Sequence, residues 1–431
     1  MQDGRYRRRL QADLPQWQQN GWITPAGAEA ILASLPAARP GIGFAGLVAG
    51  MGALLVGLGL MGLVAANWEE IPRLVRLFGL VGLLGLAFAA AWRLRLAGRP
   101  RGAEAAELLA GLVYAAAIAL VAQTFHIEGD ASGGVFLWAV GCLIAGALIR
   151  SHAFTLLAIV GAGYWPFLVV SEMQATVHGP GLAFILAGLA LAVAIGAGRA
   201  RQVGVLAIMA WSGIALVATG ERLDWSFGAM AALAALLALA GFFAGTALRT
   251  LRAERIALLG RDLRWPALLV AVLAVAALQE SYAGRPAVPG SPWLPIAGLA
   301  ALAMLGFAAA CLQRGALSLP QAGLGPVLIA GILAAALAFF DSEMVFRCFT
   351  GGLTLMLSLW LVSLGQSGAG RAAGRLGMVL FGVEVLYLYV QTIGTVLDTG
   401  LAMLTGGMLF IALSFGLLRL GRLQTNAGAS A

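Results

Sequence analysis

Five polar side chains near the C-terminus share one helical face. Glu384 is followed by Tyr387, Gln391, Thr395 and Asp398 within the apolar stretch RLGMVLFGVEVLYLYVQTIGTVLDTG. Offsets of seven, eleven and fourteen residues from Glu384 return to the same side of a helix, and Tyr387 borders that side. A carboxyl inside a membrane-spanning helix is costly and usually faces a bundle interior or a wet cavity. The stripe could pass a proton or a small cation, or line a binding cavity. It reads equally as a protonated Glu384 that hydrogen-bonds a neighbouring helix.

A second group could form the rim of such a site. VAANWEEIPRLVR supplies Asn67, Trp68, Glu69 and Glu70, and LVAQTFHIEGDASGG supplies Gln123, His126, Glu128 and Asp130. A histidine with two carboxylates is a metal-ligand chemistry. The spacing matches no ligand pattern, so we expect no metal and no cofactor, and a capped helix end instead. His178 and Glu172 fall in the following loop on the same side. Arg347 follows Glu343 by four residues, which suits an ion pair within one helix, with substrate-anion binding as the alternative. In the NWEEIP turn, Pro72 fits a first helical turn and Trp68 an interface anchor. Glu69, Glu70 or His126 could serve as acid or base toward a lipid-linked substrate, but the loops around them are very short. We expect no catalytic residue.

The elements that must position these residues follow from composition. Of 431 residues, 61% are apolar and 11% charged, against about a quarter charged in soluble domains. Apolar runs long enough to cross about 30 Å of hydrocarbon recur from Gly41 onward. The fold class is therefore all-α: a polytopic helical membrane protein. We place fourteen spans at about 43–66, 73–93, 105–125, 134–150, 152–171, 180–197, 203–219, 226–248, 265–280, 294–311, 322–340, 345–365, 373–396 and 400–418. The first run is too long for a signal-peptide core and reads as a retained span.

The chain has no lysine, and its 27 basic residues are arginines. With both termini in the cytoplasm, 22 of them fall on the cytoplasmic side. That is the positive-inside pattern of a multi-pass bacterial inner-membrane protein. The +8 charge is spread over loops and carries no nucleic-acid message. Eleven of the nineteen acidic residues fall on the outer side. Three scattered cysteines form neither a disulfide framework nor a zinc site.

Residues 1–41 read as a cytoplasmic amphipathic helical hairpin, with Leu10, Leu14 and Trp17 at helical spacing, a stop at Asn20-Gly21 and a restart at Thr24-Pro25. Residues 42–171 form an N-terminal membrane region, 172–420 a C-terminal bundle and 421–431 a tail. The Arg249–Arg264 loop reads as carrying a short interfacial helix. The stretch LQADLPQWQQNGWITPAGAEAIL, the AANWEEIP turn, the FHIEGD loop and Tyr164-Trp165 together resemble the bacterial membrane proteins grouped as domain of unknown function 2157. The resemblance runs over about residues 8–165, with a weaker echo in the C-terminal spans. It implies a multi-span inner-membrane protein and no substrate, cofactor or reaction.

Two functional readings stand. One is a transporter or flippase-like protein with an outward-facing polar path at Glu384, its substrate unspecified. The other is a non-catalytic scaffold or accessory subunit that binds a protein partner through its N-terminal hairpin. Membrane lipids are the expected surroundings, and nucleic acid is not an expected partner.

Overall fold

The structure, a computed structural model, describes residues 10, 13–34, 72–126, 128–173, 177–282, 292–337, 342–366 and 371–392. By contact the chain divides into two units, Met1–Phe78 and Gly79–Ala431. In the first unit, residues 13–19 are helical and are followed by α1 (Pro25–Ser34). Leu10, Leu14 and Ala28 are buried together, with Trp17, Ile23 and Ile31 packed against them. The first segment stops where expected. Gly21 takes φ +71°, and the Trp22 N–H reaches back to the Trp17 carbonyl at 3.0 Å, a left-handed helix stop. The Thr24 hydroxyl accepts the Gly27 N–H at 3.1 Å and starts α1.

Twelve further helices follow. They are α2 (Arg73–Leu96), α3 (Pro100–Phe125), α4 (Ala131–Ile149), α5 (His152–Met173), α6 (Gly179–Ile195) and α7 (Gly198–Arg222). Then come α8 (Phe227–Leu248), α9 (Glu254–Gln279), α10 (Trp293–Gln313), α11 (Leu319–Leu337), α12 (Glu343–Gln366) and α13 (Arg371–Thr392). Among the described residues ten helices are long and apolar enough to cross a membrane; α6 is shorter, at 17 residues, and α13 falls outside the ten. Each of the twelve coincides with one of the fourteen expected spans. The first and last expected spans lie outside the described residues. Large apolar side chains such as Leu83, Leu86, Phe88 and Trp92 on α2 stay exposed, as lipid-facing surface requires.

Tight turns separate the helices. In six of them the preceding helix gives way to a left-handed residue: Gly98, His126, Arg150, Gly196, Asp224 and Gly315. Arg150 decides whether 131–173 is one helix or two. Its φ of 52° breaks the chain, and the Ser151 N–H closes back on the Gly146 carbonyl at 3.1 Å. The Ser151 hydroxyl then accepts the Phe154 N–H at 3.1 Å and begins α5.

One expectation is corrected. The arginine-rich stretch 249–264 holds no separate interfacial helix. Residues 254–279 form the single helix α9, which carries Pro266 inside it. Two features hold its polar beginning in place. Asp262 accepts Arg201 Nε from α7 at 2.6 Å, with both side chains buried, and Arg255 donates to the Ala194 carbonyl at 2.6 Å. Gly245 and Gly260 let α8 and α9 touch: a Cβ on Gly260 would lie 2.5 Å from the Gly245 oxygen.

The largest apolar core gathers α8 to α13 around Phe242, Phe243, Trp293 and Trp360. α8 is buried along nearly its whole length, and alanine or glycine at nine of its fifteen buried positions allows close approach. Smaller cores join α5 to α7, and α2 to α5.

Candidate functional site

Glu384 sits on α13, where α9 and α12 pack against it. The residue is 4% exposed, and its carboxyl accepts a hydrogen bond from Nε2 of the equally buried Gln279 at 2.6 Å. Gly351 of α12 makes room for it. A Cβ there would stand 3.0 Å from Glu384 Oε1 and 2.6 Å from a Leu388 methyl, so a side chain at 351 would displace Leu388 and crowd the carboxyl. The α12 hydroxyls flanking Gly351 are already engaged. Thr350 donates to Phe346 O at 2.9 Å and Thr354 to Thr350 O at 3.1 Å. The amide of Gln279 is thus the side-chain donor this site offers its carboxyl.

One turn along α13, Tyr387 opens a second, more exposed cluster. Its hydroxyl donates to Glu280 Oε1 at 2.5 Å and accepts from Arg347 Nη1 at 3.1 Å. Arg347 also donates through Nε to Glu343 at 3.0 Å and lies 3.8 Å from Glu280 Oε2. The i,i+4 pair anticipated between Glu343 and Arg347 is present, at 2.7 Å. It belongs to a four-residue network that joins α9, α12 and α13. Glu384 packs at the level of Gly351, one helical turn past Arg347 and one turn from Tyr387, about 5–6 Å at 1.5 Å per residue, so it lies one turn below this cluster.

The expected residues divide as follows. Glu384, Tyr387 and Arg347 come together. Gln391 lies in the last turn of α13. Thr395 and Asp398, and Asn67, Trp68, Glu69 and Glu70, lie outside the described residues. Gln123 lies in the last turn of α3, and His126 and Asp130 bound the α3–α4 turn, where their roles are local. His126 is the left-handed cap of α3, its N–H bonded to Ala122 O. Asp130 caps α4, accepting the Gly133 N–H at 3.0 Å and the Ser132 hydroxyl at 2.6 Å. Those bonds, the Ser132 hydroxyl foremost, hold the Asp130 carboxyl below the usual carboxylate range. His178 stands edge-on to Trp165 at 4.4 Å, and burial lowers its imidazole. Among the described residues no three His, Cys, Asp or Glu side chains converge as a metal site would need.

Sequence reasoning missed Gln279 and Gly351, and took Glu280 only as part of an acidic face. A trace was present: Gln279-Glu280 is a polar pair closing a long apolar run. Glu107 was missed as well. It is 1% exposed and is held by Arg95 Nε at 2.7 Å and the Ser151 hydroxyl at 2.6 Å.

This architecture defines a multi-span helical membrane protein. Over residues 15–155 the chain is similar to the family described as predicted membrane protein, DUF2157. That match covers most of the 8–165 segment on which the sequence resemblance rests, leaves out Tyr164-Trp165 and the C-terminal spans, and ends before the Glu384 cluster. Neither a curated protein nor a solved structure matches the chain.

Proposed function

We propose that this protein is a transporter or flippase-like protein of the bacterial inner membrane and that Glu384 exchanges a proton or small cation during its cycle. The observation that carries this reading is the burial of the Glu384 carboxyl against Gln279, directly below a polar network that leads to the helix ends. Membrane-embedded carboxyls of this kind are expensive to keep and mark ion or proton paths. The arginine-poor end of the bundle is then the outer face, both termini are cytoplasmic, and the Arg347–Tyr387–Glu280 cluster forms the outer gate. The test is proton and cation flux in liposomes holding the purified protein. Glu384→Gln keeps size and hydrogen-bonding capacity but cannot ionise. It is expected to lower flux at least tenfold while leaving the unfolding temperature near that of the wild type. Undiminished flux in that variant rejects the path.

A second reading has one specific support. The buried Leu10, Leu14 and Ala28 form a small core of their own within the first unit, which suits a handle for a protein partner. A wild type without flux, together with a partner retained by the full chain and lost on deletion of residues 1–38, favours this scaffold role.

A further inference from the structure

A second polar site lies at the opposite, arginine-rich end. Between the end of α8, the start of α9 and the α10–α11 turn is a cavity of about 470 Å³. Its polar lining includes Thr246, Arg249, Thr250, Arg264, Ser318 and Gln321, with no carboxylate. Arg264 is held over the Phe242 ring, its guanidinium carbon 5.4 Å from the centroid. Its Nε is buried without a hydrogen-bond partner. The crossing at Gly245 and Gly260 brings Arg264 in: a Cβ on Gly245 would stand 3.1 Å from Arg264 Cγ.

The usual competitors for this guanidinium are engaged. Asp262, two residues earlier, is paired with Arg201. The Ala247 carbonyl at the end of α8 already accepts Thr250 at 2.6 Å and Arg314 at 3.3 Å. Among the described residues no carboxylate lies in ion-pair range of Arg249 or Arg264. Two unpaired guanidiniums, flanking hydroxyls and an absence of negative charge match the chemistry of a phosphate anion, whose oxygens accept charge-assisted bonds from arginine.

We propose that this cavity binds a phosphate group, carried either by an anionic lipid headgroup or by a small soluble phosphate. Arg264 is its inner donor and Arg249 its outer one. The cavity exceeds what a bare phosphate fills and leaves room for an attached organic group.

The full chain, purified in neutral detergent, is titrated with inorganic phosphate at constant ionic strength against chloride, and its unfolding temperature is followed. In parallel it is reconstituted in phosphatidylcholine with and without phosphatidylglycerol, and the lipids it retains are counted by native mass spectrometry. A response to both probes means a site open to water; retention of phosphatidylglycerol alone means a lipid headgroup site. Either supports the proposal. Arg264→Gln and Arg249→Gln should each weaken binding about tenfold, the loss of one charge-assisted contact. Arg249 is exposed, so its replacement tests the site even if Arg264→Gln destabilises the fold. Arg252→Gln removes the same charge outside the cavity lining and should change binding little. The proposal is overturned if neither probe binds, or if Arg252→Gln costs as much as the two lining variants.

Discussion

The Gln279–Glu384 contact joins residues 105 positions apart inside the core of the bundle. Both side chains are buried. Stranding one buried polar partner costs about 1–3 kcal/mol, whereas replacing both with apolar groups is often nearly neutral. Hydrogen bonds between membrane helices average nearer 0.6 kcal/mol, so the smaller part of that range applies here, about 1 kcal/mol. Gln279→Leu should therefore lower the unfolding temperature in detergent by a few degrees, and so should Glu384→Leu. The double variant should be more stable than either single one. Stability losses that simply add would show that the two side chains do not depend on each other. Tyr387 and Arg347 differ in kind: their partners are partly exposed, and replacing them should disturb access to Glu384 more than the fold.

At the scale of elements, the helices are largely legible in the sequence because a lipid-facing helix must be a continuous apolar run. Where helices extend beyond hydrocarbon the signal fails. α9 starts eleven residues before its apolar part, and its Arg255, Arg261 and Arg264 make that start look like a loop. Hydropathy marks the span; the helix ends are fixed by contacts such as Arg201–Asp262, between elements 61 residues apart. For the same reason Gly351 could not be singled out among 59 glycines: its role depends on which helix lies opposite. Local signals read well. Asp130 before a helical run is a cap by residue type, and it caps α4. Its lowered folded pKa fixes the sign of a pH effect. The charged form is favoured in the fold, so its contribution is complete above an unfolded value of about 3.9 and is lost as pH falls through the lower folded value. Asp130→Asn keeps an acceptor but does not titrate. The stability advantage of the wild type over that variant should be larger at about pH 6 than at about pH 3. An advantage independent of pH would mean that the Asp130 charge contributes nothing to the cap.

Among the described residues from Arg73 onward, twelve helices joined by short connections create two chemically distinct ends. One gathers Arg95, Arg150, Arg201, Arg249, Arg264 and Arg314, with Glu107 and Asp262 neutralised by pairing. The other gathers Asp130, Glu280 and Glu343, with Arg347 among them. Arginine is retained on the cytoplasmic side during insertion while acidic residues contribute little, and on that ground we propose that the first end faces the cytoplasm and the second faces out. In that proposed orientation the two proposed sites would serve opposite compartments, the buried carboxyl the outer one and the arginine-lined cavity the inner one. This orientation can be tested without knowing any substrate. Cys142 and Cys311 are buried and Cys348 is exposed, so Cys348→Ser gives a quiet background for introduced thiols. In that background Glu128→Cys, in the α3–α4 turn, should react with a membrane-impermeant maleimide on intact spheroplasts. Arg252→Cys, in the α8–α9 turn, should react only after the membrane is opened. The reverse pattern would invert the molecule and both site assignments with it. Labelling of both thiols from one side would mean that the five helices between those turns do not each cross the membrane.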